Sequence, residues 1–152
     1  MPSRSARPQA GVPGRHNAQI EERSTPPGKK LILADTSVWI DHLRSENNEM
    51  RKHLLQGQIA IHPFIIAELA LRALRERAKT LALLDLLPQV RMPLLAEVRL
   101  MIAARRLYNL GIGLTDAHLI ASVFVNSPTL LWTRDKPLRK VAEALGIHAN
   151  LA

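Results

Sequence analysis

An α/β fold on a parallel sheet is what the sequence predicts, and two observations predict it. Short apolar runs (LILA, QIAI, TLLWT) recur along the chain, and each is followed by a stretch whose apolar residues fall at helical spacing. That alternation belongs to strands buried between covering helices. We therefore expect a central parallel sheet of about four to five short strands flanked by helices.

Taken in order, LILA from Leu31 reads as a buried strand, followed by a short helix over about Thr36 to Leu43. The stretch NNEMRKHLLQG reads as a helix from Glu49 to Gln56, with Gly57 as its stop. QIAI is a second strand. HPFIIAELALRAL opens a helix with Pro63 at its first position, and AKTLALLDLL continues as another up to Pro88. QVRM is a weak strand candidate. LLAEVRLMIAARRLYNLG reads as a long amphipathic helix closed by Gly111, and LTDAHLIASVFV as one capped by Thr115. TLLWT is a strand, PLRKVAEALG a helix ended by Gly146, and IHA a last short strand. Trp39, Phe64 and Trp132 lie in apolar runs and read as core.

The totals narrow the function. A chain of 152 residues fits one domain with a real core. No run of about eighteen apolar residues exists, so no membrane-spanning helix is expected. With no cysteine, disulfides and thiolate chemistry are excluded, which fits a cytoplasmic location. A net charge of +8 and a pI near 10.8 suggest a polyanionic partner. Only five aromatic residues are present, too few to bind single strands by stacking alone. Residues 1–30 hold five of the ten prolines and no apolar periodicity; they read as a disordered basic extension without a secretory leader. The folded domain is expected over residues 31–152.

Four acids stand where parallel sheets collect function, beyond the carboxyl ends of strands. Asp35 ends the first strand, although it also suits a helix N-cap. Glu68 sits among Phe64, Ile65 and Leu71 on its helix, with Arg72 one turn on as a salt-bridge partner. Asp116 lies in the first turn of its helix, where the dipole favours it. Asp135 follows the strand LLWT, and capping serves it too. Brought to one rim of the sheet, four carboxylates would repel, and a hard divalent cation, Mg²⁺ or Mn²⁺, would resolve the conflict.

The blocks LADTSVWIDHLR, HPFIIAELAL, GIGLTDAHLIAS and LWTRDKPL, in this order and spacing, resemble the four motif blocks of PIN domains, and among these the VapC toxins of bacterial VapBC toxin–antitoxin modules. The resemblance runs from about Leu31 to the C-terminus. It implies a Mg²⁺-dependent endoribonuclease, with Asp35, Glu68, Asp116 and Asp135 as metal ligands and catalytic acids. Structured RNA, whether transfer, ribosomal or messenger, would be the substrate. It also implies a homodimer inhibited by a VapB-type antitoxin whose C-terminal segment fills the groove. Thr133 matches the hydroxyl residue that precedes the fourth acid by two positions and would support the ligands from behind. The extension departs from the family, whose first strand lies almost at the N-terminus.

Arg134, Lys136, Arg139 and Lys140 surround Asp135 and are candidate phosphate contacts, with a solvated helix face as the plainer reading. Arg72, Arg75, Arg77 and Lys79 follow Glu68 and are weighed in the same way. His118 lies two residues past Asp116, and a structural role suits it better than catalysis. Two rival functions remain. A phosphoaspartyl enzyme would place a second acid where Ser37 stands. A PIN-like module that only binds RNA or antitoxin would be expected to have lost one of the four acids.

Overall fold

Strand β1 (Leu31–Ala34) is the axis of the computed structural model, which describes residues 30–152. It pairs in parallel with β2 (Ile59–Ala60) on one side and β3 (Thr129–Trp132) on the other, giving the order β2-β1-β3. Leu33 and Ala34 are fully buried, because helices cover both faces of the sheet, the position in which parallel strands are stable. Between β1 and β2 run α1 (Thr36–Arg44) and α2 (Asn48–Leu55). Between β2 and β3 come α3 (Pro63–Ala70), α4 (Arg77–Asp85), α5 (Leu95–Ala104) and α6 (Leu114–Val125), and α7 (Lys136–Ala144) follows β3.

The sheet has three strands where four to five were expected. Gln89 and His148 each make a single parallel bridge, to Ile61 and Leu131, so the QVRM and IHA segments extend the sheet by one position apiece. Beside Gln89, Pro88 offers a carbonyl to Ile61 N (2.8 Å) but has no N–H to continue a ladder. The extension predicted for residues 1–30 lies outside the described residues, apart from Lys30, which is exposed.

Helix ends explain two further differences. α2 and α7 stop as the sequence predicts, with Gly57 (φ +68°) and Gly146 (φ +69°) in the left-handed region. α5 stops at Ala104, well before Gly111. Arg106 takes the left-handed position there (φ 54°), Arg106 N bonds Ala103 O (3.3 Å) and Leu107 N bonds Ile102 O (3.0 Å). This is the closing pattern glycine usually serves, and burial of Leu107 accompanies it. Gly113, not Thr115, is the N-cap of α6.

The core fills both faces: Trp39, Met50, Ile65, Leu69, Leu119, Ile120, Trp132 and Leu138 are all buried. Each such side chain contributes ~1.5–3 kcal/mol on burial. A smaller cluster, Val98 with Ala117 and Ala121, locks α5 onto α6. The outcome that matters for function is placement. The first residues of α1 and α7 and the inner faces of α3 and α6 meet beyond the carboxyl ends of β1 and β3.

Candidate active site

One cleft of about 530 Å³ opens at that edge, and Asp35, Glu68, Asp116 and Asp135 all line it. Thr36, Ser37, Ile40, Leu71, Arg72, Thr115 and Leu119 complete its wall. The four acids come from four different helices or their caps, and tertiary folding alone brings them together.

Asp35 forms the floor and is 6% exposed. The backbone delivers it there because the ladder continues one residue past the strand, with Asp35 N bonding Trp132 O (2.9 Å). It does cap α1, accepting from Val38 N (3.3 Å), so the capping role and the cleft role coexist. Its carboxylate also accepts hydroxyl hydrogen bonds from Ser37 and Thr133. Burial raises its pKa, against the lowering effect of those hydrogen bonds.

Thr133 is fully buried and joins two acids. Its Oγ1 donates to Asp35 and accepts from Asp135 N (3.1 Å). A buried partner left unsatisfied costs ~1–3 kcal/mol, so this hydroxyl fixes the relation between β1 and the start of α7. Ser37 extends the link by accepting from Arg134 N (3.1 Å).

Glu68 receives a hydrogen bond from the Thr36 hydroxyl, which ties α3 to α1. Among the described residues it makes no ion pair with Arg72, the partner its spacing suggested. Asp116 is half-buried and accepts from Gly113 N (3.0 Å) at the start of α6. Its pKa is raised first by burial, then by the negative charges of Asp135 and Glu68, while the Gly113 N–H opposes the rise. That mutual repulsion marks the cleft as a concentration of negative charge, and among the described residues none of the four acids is held in an ion pair. The Asp135 side chain makes no capping hydrogen bond on α7, which leaves its carboxylate available to the cleft.

An all-oxygen, acidic donor set fits a hard divalent cation in its chemistry. Among the described residues no three His, Asp or Glu side chains are drawn into a ready-made coordination group. Three of the acids lean instead on their own donors: Asp35 on Ser37 and Thr133, Glu68 on Thr36, Asp116 on the Gly113 N–H. Mg²⁺ commonly keeps several waters and uses one or two carboxylates, so the donor set still suits it.

The basic candidates divide. Arg134 pairs with Asp41 (2.9 Å) and Arg139 with Glu143 (2.9 Å), so both are engaged outside the cleft. Lys136 and Lys140 are exposed. Arg72 is the cation that lines the cleft. His118 is buried against Phe64 and His62 and does not line the cleft, which favours the structural role. The residues that sequence reasoning passed over are Thr36 and Ser37. Hydroxyls directly after an acid at a strand end were the available clue.

A family model described as PIN domain matches residues 32–144. The chain is 38% identical over 117 residues to Ribonuclease VapC32 of Mycobacterium tuberculosis (strain CDC 1551 / Oshkosh), covering 77% of this chain and 94% of that protein. The same figures relate it to Ribonuclease VapC32 of M. tuberculosis strain ATCC 25618 / H37Rv. The matched span contains all four acids, β2 and β3 in full, and β1 from its second residue. The chain belongs to the PIN-domain family and is of its VapC type.

Proposed function

We propose that this protein is a metal-dependent endoribonuclease, the toxin of a type II toxin–antitoxin module. The carrying observation is the convergence of Asp35, Glu68, Asp116 and Asp135 on one cleft; the relatives named as ribonucleases support the choice of RNA. Asp35, Glu68, Asp116 and Asp135 would hold Mg²⁺, with Mn²⁺ as a substitute. Bound there, the cation supplies water activation and charge stabilisation at the scissile phosphate.

The chain's own residues then have distinct tasks. Ser37 and Thr133 hold Asp35 in one orientation, and Thr36 holds Glu68. The Asp135 carboxylate, free of a capping bond, is suited to take the proton of the attacking water. Lys136 and Lys140 meet backbone phosphates flanking the cleft, while unpaired loops present the bases. A VapB-type antitoxin would occupy the same cleft with its C-terminal segment and block substrate entry. Among the described residues no helix is long and apolar enough to cross a membrane, and we place the protein in the cytoplasm.

Purified protein, freed of antitoxin, is expected to cleave structured cellular RNA with Mg²⁺ or Mn²⁺ and to stop in EDTA, with recovery on re-adding the ion. Sequencing of RNA ends reads both activity and target. Cleavage that continues undiminished in EDTA would remove the metal from the mechanism.

A homodimer is also part of this reading. Leu83 on α4, Leu86 just past its end, Leu94 beside α5, and Leu95 and Leu100 on α5 are 56–71% exposed, and a dimer would bury apolar side chains of this kind. Light scattering is expected to give twice the chain mass, and Leu100→Glu to return the monomer. A monomeric wild type at micromolar concentration would refute the dimer.

A further inference from the structure

The geometry points to Leu71 and Arg72 as a nucleotide grip at the mouth of the cleft, Arg72 holding a phosphate of unpaired RNA and Leu71 the face of a base. The inference rests on the nuclease reading above. It goes further in naming the side chains that meet the substrate and the form of RNA they accept.

Arg72 is the one cation among the described residues that line the cleft, and its charge is not used elsewhere. Four nearby cations are engaged, with Arg77 donating to Ala70 O (2.9 Å), Lys79 pairing with Glu76 (3.8 Å), and Arg134 and Arg139 holding Asp41 and Glu143, while Arg75, Lys136 and Lys140 are exposed and do not line the cleft. Arg72 has no such side-chain partner among the described residues, although Glu68 stands one turn away. Glu68 is held by Thr36 instead. The backbone beneath is fixed, with Arg72 N bonding Leu69 O (3.0 Å) and Leu71 N bonding Ala67 O (3.2 Å). A free guanidinium on a fixed stem, above an acidic floor, suits a ligand that is itself anionic. A phosphodiester fits, because the planar fork can donate two hydrogen bonds to its oxygens.

Leu71 adds the second half. It is 88% exposed, more than any other large apolar side chain described, yet it sits on the cleft wall with Ile40 and Leu119. An apolar surface beside a phosphate site suits the face of a base. Bases stacked in an A-form duplex do not offer that face, and unpaired ones do. The cleft therefore selects an extruded nucleotide over a helical backbone. The plainer role for Arg72, a charge near the C-terminus of α3 favoured by the helix dipole, would affect stability only.

The test uses the full chain with Mn²⁺ and a labelled mixed-sequence single-stranded RNA. Arg72→Ala is expected to raise KM about tenfold to a hundredfold, the range for a hydrogen bond to a charged group, with kcat changed far less. The salt dependence of RNA binding, read by anisotropy, should lose about 0.7 from its log–log slope. Arg72→Lys should recover part of KM, since it restores charge without the fork. Leu71→Ala should raise KM on the single strand by about threefold to tenfold. Wild-type KM and salt slope in Arg72→Ala, or a change confined to its melting temperature, would overturn the grip while leaving the nuclease standing. A wild type that cleaves nothing but binds RNA through Arg72 would remove the nuclease and keep the grip.

Discussion

Asp116→Asn is expected to lower the rate of RNA cleavage by about three orders of magnitude, ~4 kcal/mol of transition-state stabilisation, without weakening the metal-free fold. The two effects separate because of where the acid sits. Burial and the charges of Asp135 and Glu68 raise the Asp116 pKa, so its ionised form is net unfavourable without a cation. Asparagine keeps the side-chain oxygen that accepts from Gly113 N and removes the charge. The metal-free melting temperature should therefore match or exceed that of the wild type. Mn²⁺ should stabilise the wild type by mass action and stabilise the variant much less. Asp35→Asn should lose activity to the same degree, but with a different stability pattern. Asparagine still caps α1 with the oxygen that accepts from Val38 N and Ser37, while its amide must face Thr133, whose hydroxyl donates to the other carboxylate oxygen. Cleavage by Asp116→Asn within about tenfold of the wild type would show that this carboxylate does not serve the reaction. Melting curves and cleavage rates on the same preparations decide it.

Much of this arrangement could be read from the chain, and the reason is local chemistry. β1 and β3 announce themselves as apolar runs, Pro63 sits in the first turn of α3 and Pro137 in that of α7, and Gly57 and Gly146 end helices by rules that need no tertiary information. Where a residue acts against its type, the reading fails. Arg106 occupies a left-handed position that favours glycine, so a reading that looks for glycine ends α5 too late. The outer strand positions fail for a different reason: a single bridge at Gln89 or His148 depends on its neighbour rather than on its own sequence.

The site divides along the same line. Each acid has an ordinary local explanation, a cap or a dipole for the three aspartates and a salt bridge to Arg72 for Glu68, and the structure retains those explanations at Asp35 and Asp116. What the sequence could not show is who holds whom. Thr36 and Glu68 are 32 positions apart and Thr133 and Asp35 are 98 apart, so these contacts exist only after the sheet forms. The same blindness applies to charge. Nearness to Asp135 in sequence puts Arg134 and Arg139 among the four candidate phosphate contacts, yet the first turns to Asp41 and the second to Glu143 one helical turn away. Arg72, further from any strand end, is the one left facing the cleft.

Acidification from pH 6.5 to pH 4 is expected to remove ~3 kcal/mol of stability through His62 alone. This histidine is fully buried and caps α3, its Nδ1 accepting from Phe64 N (2.9 Å). Its Nε2 has no partner among the described residues, and the rings of Phe64 and His118 stand 5.0 and 6.5 Å away. A proton added to Nδ1 would break the cap and place a charge in an apolar setting. Burial first, then the neighbouring His118, therefore lower its pKa from 6.5 to about 4. Above pH 6.5 the group is neutral in both folded and unfolded chains and has no effect on the balance. Below that value the unfolded chain takes the proton and the folded chain refuses it until about pH 4, so stability falls with pH across the window. Each unit between the two values is worth ~1.4 kcal/mol. Asp35 and Asp116 act in the opposite sense, because their pKa values are raised in the fold; the stability they cost when ionised is returned as they protonate at the acid end. The variant His62→Asn isolates the histidine. It retains a capping oxygen for Phe64 N and cannot titrate, so its urea stability at neutral pH should fall through lost packing while its decline toward pH 4 becomes shallower by ~3 kcal/mol. Equal declines in the two proteins would mean that His62 takes up its proton in the folded state without penalty, and that the buried cap tolerates a charge.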